Sequence, residues 1–292
     1  ATALTVPTLN EAGILQISPA STLVGLTRTT GADKGEPDKY YPAGVRTFGR
    51  VIQPDDVQAR AQIDDQLAEG CRSTFLVHDR EAYGKSLTDL VELLGPAAGL
   101  RVAGNEGIDP DARDYADLLD KVVRSGADCL FLGGVEERAA VVLFTELHEA
   151  QPGLKLFAPN GLATPSFAKD LGAGPASMVR LTSPGLPARL YPAAGRTFLR
   201  SYQRRFGTES GPYGMYGYEA MKLALLAVAR AGDRGNDKRS VVAAFFRIQD
   251  RHSILGTYSI DRRGDTSLTR YGLYRVKAGR LAFERLLDPA AG

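Results

Sequence analysis

The sequence predicts an α/β fold whose legible centre is a doubly wound parallel sheet flanked by helices. Short apolar runs and helix-spaced apolar stripes alternate about five times from roughly residue 55 to 183. Such alternation means parallel strands joined by helical crossovers. The composition supports it, with 43% hydrophobic and 24% charged residues among 292, enough apolar material for a core. At roughly 100–200 residues per domain, the length suggests two domains.

Ala59, Ile63 and Leu67 form the first helical stripe, which closes at Gly70. Thr74–Val77 reads as the first strand of this stretch, and Leu87, Leu90, Val91 and Leu94 as the helix after it. Val102–Ala103 is a weaker strand, followed by a helix on Tyr115, Leu118, Leu119 and Val122. Cys129–Leu132 is a strong strand that runs into Gly133–Gly134, and Val142, Leu143 and Leu147 mark the next helix. Leu154–Phe157 stops at Pro159, and Met178–Leu181 stops at Pro184. Ligands of such sheets sit beyond the carboxyl ends of the strands. The loops that begin there are His78–Asp79, Gly133–Gly134 and Pro159–Gly161.

The later sequence reads differently. Phe198, Tyr202 and Phe206 share one helical face, and a long apolar helix runs from about Tyr216 to Ala231 before Gly232. A third helix covers about Asp237 to Phe246. Strands are expected over Leu255–Ile260, Tyr271–Val276 and Leu281–Leu287, with a hairpin turn at Lys277–Arg280. Neither an internal repeat nor a low-complexity linker appears, so two domains would be joined by several crossings of the backbone.

Several function classes are excluded or weak. Lys and Arg number 36 against 34 Asp and Glu, a net charge of +2. A nucleic-acid binder carries a stronger, clustered basic excess. No run approaches the ~18 apolar residues of a membrane span. Two cysteines are too few for a thiolate zinc site, and His78, His148 and His252 lack metal spacing, so no metal and no cofactor is expected. Tyr218 and Lys222 have the Tyr-x-x-x-Lys spacing of short-chain dehydrogenases, but no G-x-G-x-x-G exists to hold a dinucleotide, so packing within a long helix is the better reading. There is no nucleophile elbow and no P-loop. Asp55–Asp56 read as helix N-terminal charges and Asp64–Asp65 as solvated-face charges. No catalytic residue is assigned, and an enzyme is not expected. The chain opens at Ala1 with no basic or apolar leader, so location is not read from a targeting segment.

Residues 9–22, Leu-Asn-Glu-Ala-Gly-Ile-Leu-Gln-Ile-Ser-Pro-Ala-Ser-Thr, resemble the branched-chain amino-acid binding proteins of ABC importers, which are type I periplasmic binding proteins. Arg46–Arg50 followed by Pro54–Gln58 resembles the family's first interdomain crossing. His78–Asp79 with Tyr83–Gly84, then Gly133–Gly134, Gly211–Tyr213, Leu255–Gly256, Asp261 and Gly264–Asp265 continue the series in order. The match spans nearly the whole chain. It implies two doubly wound lobes, the first of residues 1–50 plus 184–254 and the second of 51–183 plus 255–292. Family members carry a further strand-helix-strand-helix-strand opening, so the first lobe is expected to be incomplete, with fewer strands than the second.

The resemblance implies a non-enzymatic extracytoplasmic receptor, periplasmic or at the cell surface, with a lipid anchor through an absent N-terminus as one variant. Its partners would be a small polar solute, an amino acid or related compound captured between the lobes, and the membrane permease of an ABC transporter. The alternative is a ligand-sensing lobe of a regulatory or kinase-linked receptor. The implied solute contacts are Ser21 and Thr22 in the Ser-Pro-x-x-Thr loop, Tyr83 after the His-Asp turn, Val135 beside Glu136, Asn160, and Tyr213 as an apolar wall. Helix capping is the competing reading for Ser21 and Thr22, and core packing for the two tyrosines. Where relatives hold an ammonium with an acid, this chain has Asn160. Either Glu136 turns inward, or the solute is an amide, a urea-like compound or a carboxylic acid. Cys71 and Cys129 fall at neighbouring strands. A disulfide is open there, but two buried free thiols are the commoner arrangement.

Overall fold

The structure, a computed structural model, describes residues 2–289. These form two compact units, and the backbone passes from one to the other three times. The first unit holds the residues up to Pro54 together with Gly185–Thr269. The second holds Asp55–Pro184 and the stretch from Arg270 onward.

The chain starts in the first unit with helix α1 (Thr2–Glu11) and strands β1 (Gln16–Ser18) and β2 (Phe48–Arg50), which pair in parallel. It then enters the second unit through α2 (Asp55–Ala68), β3 (Ser73–His78), α3 (Ala82–Ala98), β4 (Arg101–Gly107), α4 (Ala116–Ser125), β5 (Cys129–Gly133), α5 (Glu137–Ala150) and β6 (Lys155–Ala158). Short helices α6 (Pro165–Asp170) and α7 (Ala173–Ala176) lead to β7 (Val179–Ser183). Back in the first unit come α8 (Ala193–Phe206), α9 (Pro212–Ala231), α10 (Lys238–Phe245), β8 (Arg251–His252) and β9 (Thr257–Tyr258). Strands β10 (Tyr271–Lys277) and β11 (Arg280–Leu287) complete the second unit.

The second unit is one seven-stranded sheet in the order β11-β10-β7-β6-β5-β3-β4. The five strands β3 to β7 are parallel, and the hairpin β10–β11 adds antiparallel to β7. Phe75, Val77, Leu130, Leu132, Leu156 and Leu181 pack with Leu118 and Val122 of α4 and Leu143, Phe144 and Leu147 of α5. The alternate residues Leu76 and Phe131 are fully buried too, as expected of strands covered on both faces. The closing hairpin turns through Ala278 (φ 49) and Gly279 (φ 69), the left-handed pair that a two-residue turn needs.

The first unit has two-stranded ladders only among its described residues, fewer strands than the second. Its largest core cluster joins Val51, Ile52, Met215, Tyr216, Leu223, Phe245 and Ile248 with Leu255, Tyr258 and Ile260. That packing corrects two expected lobe boundaries. Residues 51–54 and 255–269 were assigned to the second lobe, yet they fold with the first unit. The strand expected over Leu255–Ile260 is also shorter, reduced to Thr257–Tyr258 plus a bridge from Ile260 to Thr266. Gly256 sits at φ +134, and the Ser253 hydroxyl accepts the Leu255 N–H and donates to the Gly256 carbonyl, so a local turn replaces the ladder.

Cys71 and Cys129 form a disulfide, with Cα atoms 5.9 Å apart. The free-thiol reading therefore gives way. The parallel register that sets Thr74 opposite Cys129 brings the start of β3 to β5. Asp65 corrects another expectation. It is buried rather than solvated, and it pairs with Arg180.

Candidate functional site

The carboxyl ends of β3, β5 and β6 carry the residues that the sequence singles out in the second unit. Asp79 follows β3 and is buried. Its carboxylate accepts the Val135 N–H at 2.7 Å and the Glu81 N–H at 3.1 Å, and so ties the loop after β5 to the start of α3. The paired glycines are explained by this contact. A Cβ on Gly134 would lie 2.5 Å from Asp79 Oδ2, and one on Gly84 would lie 2.4 Å from Asp79 Oδ1 and 2.5 Å from the Gly133 carbonyl. His78 is the last residue of β3. Its Nδ1 accepts the Arg80 N–H at 3.1 Å, and burial holds its pKa below the ordinary value.

Tyr83 and Asn160 meet. The Tyr83 hydroxyl lies 2.5 Å from Asn160 Oδ1 and 3.0 Å from the side-chain amide of Gln58 on α2. Gln58 in turn bonds the Thr182 hydroxyl of β7 at 2.9 Å, as does Gln62, which also donates to the Ala158 carbonyl at 2.8 Å. Val135 closes in from the side: a Cβ on Gly161 would lie 2.8 Å from Val135 Cγ1 and 3.1 Å from Tyr83 Cε1. Thus Tyr83, Val135 and Asn160 form one neutral strand-end cluster. Glu136 does not join it. It is exposed at the N-terminal cap of α5 and makes no side-chain capping bond. Gln58, Gln62 and Thr182 were not legible as site residues, because a glutamine on a helix gives no signal of the strand it reaches.

In the first unit, Ser21 and Thr22 lie in the loop after β1. No helix begins on them; the next turn, Val24–Leu26, has Leu23 at its start without a side-chain cap. The capping reading therefore does not hold. Ser18 Oγ accepts the N–H groups of Ala20 (3.3 Å) and Ser21 (2.9 Å), and the Ser21 hydroxyl pairs with that of Thr2. Behind the loop stands Arg50 of β2, fully buried. Its Nη1 donates to the carbonyls of Ser21 (3.1 Å) and Leu23 (2.8 Å), its Nε donates to Asp265 Oδ1 at 2.7 Å, and its Nη2 donates to the Thr27 hydroxyl. Tyr213 is the second residue of α9 and is 41% exposed, so core packing does not account for it.

Among the described residues, one group of three metal-capable side chains occurs, Cys71, Asp128 and Cys129. Both sulfurs are spent in the disulfide, so the group offers no thiolate. No described helix is long and apolar enough to cross a membrane.

The sequence profile of the periplasmic binding proteins matches residues 1–280. The Leu/Ile/Val-binding protein homolog 1 of Brucella melitensis is 27% identical over 271 residues, covering 92% of this chain and 67% of that protein. The chain thus spans about two thirds of the length of this relative. A leucine-binding protein of Thermotoga maritima superposes with a TM-score of 0.82 at 18% identity, covering 98% of this chain and 77% of that one. A solute-binding protein of an ABC transporter from R. palustris, solved in complex with benzoate, superposes with a TM-score of 0.73 at 17% identity over 99% of this chain and 75% of its own. At these identities the solved structures establish the shared fold.

Proposed function

The chain belongs to the periplasmic binding protein family, and from that membership we propose that it is an extracytoplasmic receptor which captures a small polar solute, an amino acid or a related compound, for import by an ABC transporter. Proteins of this family are receptors rather than catalysts. The observation that carries the reading is the strand-end cluster of Tyr83, Asn160 and Val135, set where α/β sheets bind ligands. Hydroxyl and amide groups beside an apolar wall are what a small polar solute needs. Ser21, Thr22 and Tyr213 are the candidate contacts from the first unit. The disulfide suits an oxidising compartment outside the cytosol. The permease of the transporter is the proposed membrane partner.

The cluster carries no charge of its own. An ammonium desolvated without a counter-charge is costly. Carboxylic acids and amides therefore compete with α-amino acids as solutes. A thermal-shift screen with amino acids, their amides, and aliphatic and aromatic acids tests the reading. A specific solute at 100 times its Kd adds ~2.7 kcal/mol to stability. If no member of these classes raises the melting temperature at millimolar concentration, the receptor reading fails.

A further inference from the structure

We propose that Arg50, held in place by Asp265, is a positioning residue that sets the geometry of the Ser18–Thr22 loop for solute binding, although neither side chain is a solute contact. The inference rests on the receptor reading for its functional consequence and on the first unit alone for its geometry.

Three features carry it. First, Arg50 sits beside Ser18 in the parallel register of β1 and β2, so its guanidinium emerges behind the loop. It grips that loop by the backbone, through the Ser21 and Leu23 carbonyls. Carbonyl contacts of this kind fix the path of the chain whatever side chains it carries. Second, the grip is aimed from the far side. Asp265 takes Arg50 Nε on one oxygen, and the Thr27 hydroxyl (3.1 Å) and Arg28 Nε (2.7 Å) on the other. One carboxylate thereby references both the arginine and the segment that leaves the loop. Third, Asp265 is itself fixed. Its N–H donates to Asp261 Oδ1 at 2.9 Å, and the Arg50 N–H donates to the Gly264 carbonyl at 2.8 Å. Gly264 has φ +96, and a Cβ there would lie 2.2 Å from the Phe48 carbonyl, so the turn presses directly on β2.

Arginine suits this task and lysine does not. A planar fork reaches two carbonyls, a hydroxyl and a carboxylate at fixed angles, whereas an ammonium is a point charge on a flexible stem. Arg50→Lys therefore keeps the charge opposite Asp265 and releases the loop. Asp265→Asn keeps the shape and weakens the aim.

The test measures Arg50→Lys and Asp265→Asn beside Arg180→Lys, which weakens a comparably buried ion pair in the second unit. Solute affinity is read by calorimetry with the compound that gives the largest thermal shift on the unaltered protein. Amide hydrogen exchange of residues 18–27 is read without solute. We expect Arg50→Lys to raise Kd about tenfold or more, the size typical of lost supporting contacts, and to speed exchange in the loop selectively. Arg180→Lys should lower the melting temperature and leave Kd unchanged. If Arg50→Lys lowers the melting temperature but leaves both Kd and loop exchange as they were, Arg50 is structural only and the proposal is overturned. Should Arg50→Lys not fold, Thr27→Ala cuts one link of the same hub, and unchanged loop exchange there overturns it equally. If the unaltered protein binds no solute, the receptor reading fails, while loop exchange still decides whether Arg50 holds the loop.

Discussion

Arg180 and Asp65 lie 115 residues apart in sequence and form a two-pronged buried ion pair, Nε to Oδ2 at 2.8 Å and Nη2 to Oδ1 at 3.0 Å. It pins α2 to β7, and Arg285 donates to the same Asp65 from β11 at 2.6 Å. Glu69 and Glu284 surround the arginine further. Burial disfavours the Arg180 charge, but the bond from Asp65 and the field of the three acids outweigh it and raise its pKa. Removing one partner leaves the other charge buried, which costs about 3–5 kcal/mol. Arg180→Met should destabilise the second unit by that order in urea unfolding, and Arg180→Met with Asp65→Leu should recover much of the loss. A double variant no better than the single one would show that the pair acts through something other than charge.

The disulfide yields a second prediction. It ties the start of β3 to β5 across a sequence separation of 58. A bond closing a loop of this size contributes about 2–4 kcal/mol by constraining the unfolded chain. The protein with Cys71→Ser and Cys129→Ser should melt several degrees lower, and reductant should lower the unaltered protein toward it. Equal melting temperatures with and without reductant, with the bond verified as broken, would refute this.

Asp265 predicts a pH dependence. Burial pushes its carboxyl up, yet Arg50 and Arg28 more than offset this and hold it below the ordinary carboxylate range. A group whose folded pKa is depressed stabilises the fold above its unfolded pKa, and that stability is lost as pH falls through the folded value. The stability gap between the unaltered protein and Asp265→Asn should be full near neutrality and shrink once the pH drops below about 4. Urea midpoints across that range measure it. A gap that stays constant down to pH 3 would mean that the carboxylate charge is not what stabilises the hub.

The two units differ in how much of them the sequence disclosed. β3, β5 and β6 carry apolar runs because both faces are covered, and each shows in the one-dimensional pattern, whereas β7 buries Arg180, Thr182 and Ser183 among its five residues. β4 showed only at Val102–Ala103, since its edge position lets Asn105 and Glu106 stay partly exposed. Strand-end logic and resemblance together pointed to Tyr83, Val135 and Asn160, which the structure brings together. The amides and charges behind them stayed hidden. Asp65 reads in sequence as one more acid on a helix, and nothing local reveals Arg180. Arg50 and Asp265 are separated by 215 residues, and Gln58 and Thr182 by 124, so their pairing exists only after folding.

The last prediction concerns solute preference at Asn160. A hydroxyl carries one proton, so Tyr83 cannot donate to both of its amide neighbours. Both neighbours present an oxygen, and Asn160 Oδ1 at 2.5 Å is the nearer acceptor, against 3.0 Å to Gln58 Oε1. Tyr83 therefore donates to Asn160, while Gln58 Nε2 donates to the Thr182 hydroxyl. On the proposed reading, the Asn160 oxygen is already engaged by Tyr83, so the position gives an ammonium no counter-charge and favours a solute that lacks an ammonium. Asn160→Asp reverses that preference. Hydrogen bonds to a charged group contribute about 1.5–3 kcal/mol, or roughly tenfold or more in affinity. We expect the substitution to raise the affinity for leucine relative to its deaminated analogue, 4-methylpentanoate, by at least about that factor. Tyr83→Phe, which removes the hydroxyl that donates to the Asn160 oxygen, should shift the ratio the same way by less. Calorimetric titration of both compounds into the three proteins measures the ratio. If Asn160→Asp leaves it unchanged, Asn160 does not face the solute's amine position, and the strand-end cluster is structural.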